Sequence, residues 1–146
     1  MSFTRPEFRA TLKERQMTEL EELKESTKDS VQAKQVSLYG LVSRQEPQGD
    51  VEPVYDTILD LIGDTPTMYK LTVAQTRRAE DLDEIAGLWD EARTFYQSML
   101  ASWESLDATL ARLFPELRDE LFAHWGQMIR KLARACAEHH DFHARK

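Results

Sequence analysis

Glycine-rich loops, cysteine pairs and long apolar runs are all missing from this chain. A single cysteine, Cys136, stands among 146 residues. It can form no internal disulfide and no four-cysteine zinc site, which fits a reducing compartment, so the cytoplasm is the expected location. Nowhere do about eighteen apolar residues run together to span a bilayer, and the opening Met1-Ser2-Phe3-Thr4-Arg5-Pro6-Glu7 lacks the apolar centre of a secretory leader. No serine is framed by glycines and no glycine-rich segment could cradle a phosphate, which leaves the common nucleophile and nucleotide motifs without a carrier. With only five glycines and five prolines, a strand-and-turn fold is poorly supplied, and an all-β reading is excluded.

What the chain does have is helix-forming material: 41% apolar and 31% charged residues, at a length that suits one domain, 1–146. Its net charge of −7 is unevenly spread. Residues 1–50 carry 8 bases and 9 acids, residues 51–114 carry 5 and 12, and residues 115–146 carry 6 and 5. Phosphate binding needs clustered Lys and Arg, so the acidic middle makes nucleic acid an unlikely partner.

The first helix is expected over 1–43. Thr4-Arg5-Pro6-Glu7 orders a capping hydroxyl, a tolerated first-turn proline and a reciprocal glutamate. From there Phe8, Leu12, Leu20, Leu23, Val31, Leu38 and Leu41 recur at roughly helical spacing. Thr27 and Lys34 interrupt this stripe, and a break is expected within Lys24-Glu25-Ser26-Thr27-Lys28-Asp29-Ser30. So thin a stripe must lie on other helices or pair with a second copy of the chain, which makes the first helix a candidate oligomerisation arm. Residues 44–53, with two prolines and a glycine among polar residues, read as a surface loop. A bundle core is expected over 54–146. Val54, Ile58, Leu59 and Ile62 predict a short helix that stops at Gly63-Asp64, before Thr65-Pro66 starts the next.

The strongest pattern follows. Leu82, Ile85, Trp89, Ala92, Tyr96, Met99, Trp103, Leu106, Leu110 and Leu113 alternate spacings of three and four without a miss. Extended backward through Met68, Leu71, Gln75 and Arg78, the register predicts one helix from about Pro66 to Phe114, with Gly87, Ser102 and Ser105 as its weak points. Aromatics at core positions favour packing against several helices over a two-stranded zipper. Pro115 ends or kinks this helix. The last one then carries Leu117, Leu121, Trp125, Met128, Leu132 and Cys136 or Ala135 on one face and folds back antiparallel. The expected fold is therefore all-α: a bundle of three to four long helices with antiparallel, coiled-coil-like packing.

Metal-capable side chains concentrate in Glu138-His139-His140-Asp141-Phe142-His143. His139 and His143 share a helix face, so two imidazoles could reach one divalent metal ion, with His140, Glu138 or Asp141 nearby. The same histidines also suit a helix C-terminus, where cationic rings meet the negative end of the macrodipole. Cys136 reads as a small buried hydrophobe, and Glu80-Asp81-Asp83-Glu84 as solvated first-turn charge.

Arg134-Ala135-Cys136-Ala137-Glu138-His139 resembles the active motif of HEPN-type helical ribonucleases, which pair two such helices in a dimer. That resemblance implies that Arg134 would hold phosphate while His139 assists proton transfer. It covers six residues, and Ala135 stands where that family has a polar residue. Phe95-Tyr96 followed by Leu113-Phe114-Pro115-Glu116-Leu117, Phe122 and Gln127 resembles the early helices of bacterial globins. A globin, however, needs a later proximal histidine and two further helices, and about twenty residues follow Gln127, so no haem is expected. The reading that best fits the whole sequence is a non-enzymatic helical protein acting through protein–protein contacts, as an adaptor, assembly factor or regulator, and forming a homodimer. A metal-binding protein, conceivably a hydrolase, using His139, His140 and His143 is the alternative.

Overall fold

A computed structural model describes residues 6–44 and 49–144, with side chains from residue 11 onward. Its elements are α1 (Pro6–Arg44), α2 (Glu52–Thr76), α3 (Leu82–Leu113), a single turn α4 (Pro115–Leu117), a π-helical stretch (Arg118–Phe122) and α5 (Ala123–Ala144). The chain is an all-α bundle of long helices, with no strand among the described residues. The hydrogen bond from Lys24 to Gln75 and the ion pair of Lys34 with Asp64 show that α1 and α2 run antiparallel. The ring pairs Trp89–His139 and Trp103–Phe122 show the same for α3 and α5. The α3–α5 and α1–α2 interfaces are the largest; α2 also touches α5, and α1 and α2 each touch α3 more sparingly.

Three parts of the chain differ from the sequence expectation, the first being the first helix and the loop after it. The first helix is unbroken from Pro6 to Arg44; Thr4, its expected cap, lies outside the described residues. The polar stretch around Lys24 does not break because its side chains have partners: Lys24 is fully buried against α2 and α3, and the Thr27 hydroxyl donates to the Leu23 carbonyl of the preceding turn. The expected loop at 44–53 is shorter, since Arg44 and Glu52 belong to helices; residues 45–48 lie outside the described residues.

The second correction is at Gly63-Asp64, where α2 runs straight through with Pro66 inside it. Proline removes the N–H that would meet the Ile62 carbonyl and crowds that turn. Neighbouring helices brace the turns on either side. The Tyr96 hydroxyl, from α3, donates to the Thr65 carbonyl at 2.6 Å and accepts from the Tyr69 N–H at 3.0 Å, so it stands between two backbone groups one helical turn apart. From α5, the Trp125 indole N–H donates to Thr65 Oγ1 at 2.8 Å, and that hydroxyl donates to the Leu61 carbonyl. The Tyr96 hydroxyl is thus inserted into the helical ladder at the 65–69 step, next to the one that Pro66 breaks.

The third correction splits the predicted helix from Pro66 to Phe114. Residues 66–76 belong to α2, and α3 starts at Leu82 behind Asp81, whose carboxylate accepts from the Glu84 N–H at 2.7 Å. The signal was present as Asp81 followed three residues later by Glu84, and an aspartate at this position caps a helix start. The heptad seam itself holds within α3: Trp89, Ala92, Tyr96, Met99, Trp103, Leu106, Leu110 and Leu113 are buried, while Leu82 is exposed and Ile85 partly so.

Past Pro115 the buried face also shifts. Leu117, Phe122, Trp125, Gly126, Ile129 and Cys136 are buried, whereas Leu121, Met128 and Leu132 are only partly so. The Ala123 N–H reaches five residues back to the Arg118 carbonyl, and that extra residue in the turn rotates the helix so that Phe122, not Leu121, faces α3. Arg118 pins the wide turn to α3 through a two-pronged contact with Asp107, at 2.8 and 3.1 Å. Trp103 then lies flat on Phe122, with ring centres 4.9 Å apart, and donates its indole N–H to the Phe122 carbonyl at 2.7 Å. The Arg130 guanidinium covers the Trp103 ring at 4.7 Å.

Gly126 makes that seat possible, since a Cβ there would lie 2.5 Å from two Trp103 ring carbons. Gly126→Ala is therefore expected to lower stability by about 1–3 kcal/mol through overpacking. Urea unfolding followed by tryptophan fluorescence measures it, and an unchanged midpoint would show that the ring is not confined.

Candidate functional site

The C-terminal histidines are placed on three different jobs. His139 is only partly exposed and lies flat on Trp89 of α3, ring centres 4.2 Å apart and planes 14° from parallel. Its Nε2 is 3.1 Å from the Tyr69 hydroxyl of α2, so this ring joins three helices. His140 Nδ1 sits 3.2 Å from the carboxylate of its neighbour Asp141. His143 packs edge-on against Phe142, and its Nδ1 is buried without a hydrogen bond. Among the described residues no three His, Cys, Asp or Glu side chains gather closely enough to hold a metal ion. Arg134 is exposed while His139 is turned inward. Five residues apart on a helix, the two point about 140° away from each other. Cys136 is fully buried, and burial pushes its thiol up to about 12, so it is protonated and unreactive near neutrality.

A second polar centre lies between α1, α2 and α3, and nothing in the sequence pattern marked it beyond Lys24 and Gln75 being polar where apolar residues would fit. Lys24 Nζ donates to Gln75 Oε1 at 2.7 Å and lies 3.2 Å from Glu91. The Gln75 amide donates in turn to Glu21. Lys28 bridges Glu91 at 3.0 Å and Glu25 at 3.1 Å. Burial raises the cost of charge on Glu91, but Lys28 and Lys24 outweigh it and hold the carboxyl below its ordinary range. Beyond Lys28 a groove of about 550 Å³ opens between α1 and α3, with Val31, Phe95 and Met99 among its lining residues. It exists because α1 touches α3 so sparingly.

The third feature is apolar exposure. Val36 and Tyr39 on α1 are 66% and 60% exposed, and Tyr55 and Leu59 on α2 are 44% and 41% exposed, with Val51 beside them in sequence. Because α1 and α2 are antiparallel, the end of one and the start of the other place all five at the same end of the bundle. Val36 and Tyr39 each follow a groove residue, Gln32 and Gln35, by four positions, so they extend that wall of α1. No helix among the described residues is long and apolar enough to cross a membrane. Comparison of the chain with protein-family models, curated proteins and solved structures finds no match in any of the three.

The chemistry of these groups makes two tests direct. His139→Ala removes a ring stack and a hydrogen bond and should cost about 1–2 kcal/mol, equally with and without a chelator, in thermal melts. A wild-type melting temperature that falls on chelation would instead place a metal at this end. For Glu91, a folded-state pKa below the ordinary 4.5 means that its stabilisation is fully present above 4.5 and is lost as pH falls from there through the lower folded-state value. Wild type should therefore lose more stability on acidification than Glu91→Gln does; parallel losses would remove Glu91 from the account.

Proposed function

We propose that this protein works through protein–protein contacts, as a homodimer whose interface is the apolar end of the α1–α2 hairpin. The observation that supports the reading is the exposure of Val36 and Tyr39 on α1 and of Tyr55 and Leu59 on α2 at one end of the hairpin: large apolar side chains, two of them aromatics of the type enriched where proteins meet. A two-fold contact needs only one such surface, because each copy supplies the same patch to the other. Adaptor, assembly-factor and regulator roles all follow from contacts of this kind. The nearest group to a reactive centre, His139, is occupied by Trp89 and Tyr69, which favours a structural use of that ring over a catalytic one.

Native mass spectrometry of untagged protein tests the reading. The wild type should appear at twice the chain mass, and Val36→Lys with Tyr39→Lys should shift it to the monomer while leaving the helical content unchanged. Leu38, fully buried within the chain, is unsuitable as an interface probe because its loss would damage the core. A wild-type monomer at micromolar concentration, or a dimer indifferent to both lysines, would overturn this interface.

A further inference from the structure

We propose that α1 is a releasable strap, latched by charge onto a body of α2, α3 and α5 that stays folded without it. Four lysines of α1 face inward to partners on the other helices: Lys13 to Glu80, Lys24 to Gln75 and Glu91, Lys28 to Glu91, and Lys34 to Asp64. Gln16 and Glu21 add polar contacts to Arg78 and Gln75. Opposite this row, Glu14, Glu19, Glu22, Glu25 and Asp29 are exposed, so α1 turns its lysines to the bundle and most of its acids to water. Its fully buried apolar side chains are confined to Val31, Leu38 and Val42 among the described residues, all in the half of α1 nearer the loop.

The body is knit differently. Trp125, Tyr96, Phe122, Met99, Met68 and Leu61 are buried at or near zero exposure, and hydrogen bonds of Thr65 to Tyr96 and Trp125 tie α2 to both α3 and α5 without using α1. Screening therefore acts unequally. Lys13, Lys28 and Lys34 are each about a third exposed, and salt weakens pairs in contact with solvent far more than it weakens an apolar core. Letting go of α1 uncovers the groove wall at Phe95 and Met99 and the side of α2 on which Lys24 and Lys34 rest.

Hydrogen exchange by mass spectrometry on the full chain, at 0.05 and 1 M sodium chloride, reads the latch segment by segment. Amides of α1 should exchange about tenfold or more faster at high salt while those of α3 and α5 change less than about threefold, the pattern of a sub-global opening. Glu91→Gln, which leaves Lys24 its bond to Gln75, should reproduce part of the α1 acceleration at low salt and leave α3 and α5 protected. If all helices lose protection together in the salt series, or if α1 responds to neither salt nor the substitution, α1 is an integral part of one cooperative unit and the proposal is wrong. Light scattering at 0.05 M salt separates this outcome from the dimer reading, since a monomer there overturns the interface whether or not α1 opens at high salt.

Discussion

The hydroxyl of Tyr96 is the contact on which the bundle core depends. It occupies the place of a backbone group in α2, bonded at once to the Thr65 carbonyl and the Tyr69 N–H, and it comes from α3. One residue from Pro66, this braces α2 beside the ladder bond that the proline removes. Trp125 binds the hydroxyl of the same Thr65, so all three body helices converge on one residue. Burial raises the Tyr96 pKa well above that of a free phenol, which keeps the proton that the Thr65 carbonyl needs. A buried polar network of this kind is costly when incomplete and specifying when satisfied; here Thr65, Tyr96, Trp125 and Tyr69 all find partners.

The wide turn at Arg118–Phe122 solves a related problem on α5. One extra residue rotates the helix, and the Phe122 carbonyl receives the Trp103 indole. Gly126 removes the one side chain that would block the ring, and Arg130 closes over it. The aromatic centre is therefore built from an irregularity in the backbone, and it is linked in turn to the His139–Trp89–Tyr69 cluster along the same α3–α5 interface. His139, a candidate ligand by its spacing, stacks on Trp89 and reaches the Tyr69 hydroxyl in this cluster.

Against this body α1 is an unequal partner. Its fully buried apolar side chains, among the described residues, are Val31, Leu38 and Val42 alone. A buried lysine with a neutral amide and a carboxylate in reach adds little net stability but tolerates only one register, because any slide along α2 would leave the charge unpaired. Apolar residues at the far end of the same hairpin, Val36, Tyr39, Tyr55 and Leu59, remain without cover in the single chain.

The heptad of α3 was legible from sequence alone, because a three-four alternation of Trp89, Ala92, Tyr96 and Met99 through Leu113 has one helical solution, and the all-α class follows from it. Pro115 as a boundary, Cys136 as a core residue and the poverty of the α1 stripe were equally plain. Tertiary structure decided the rest, wherever a long-range partner overrode a local preference. Pro66 reads as a start until Tyr96 and Trp125 brace the turns around it, and Lys24 to Ser30 reads as a break until Gln75 and Glu91 receive the lysine. Leu121 reads as the buried residue until the π-turn hands that place to Phe122. His139 has the spacing of a ligand, and only the approach of Trp89 and Tyr69 from two other helices makes it a packing residue. In each case the deciding groups lie at least 19 residues away in the chain or depend on one inserted residue, information that a local pattern does not contain.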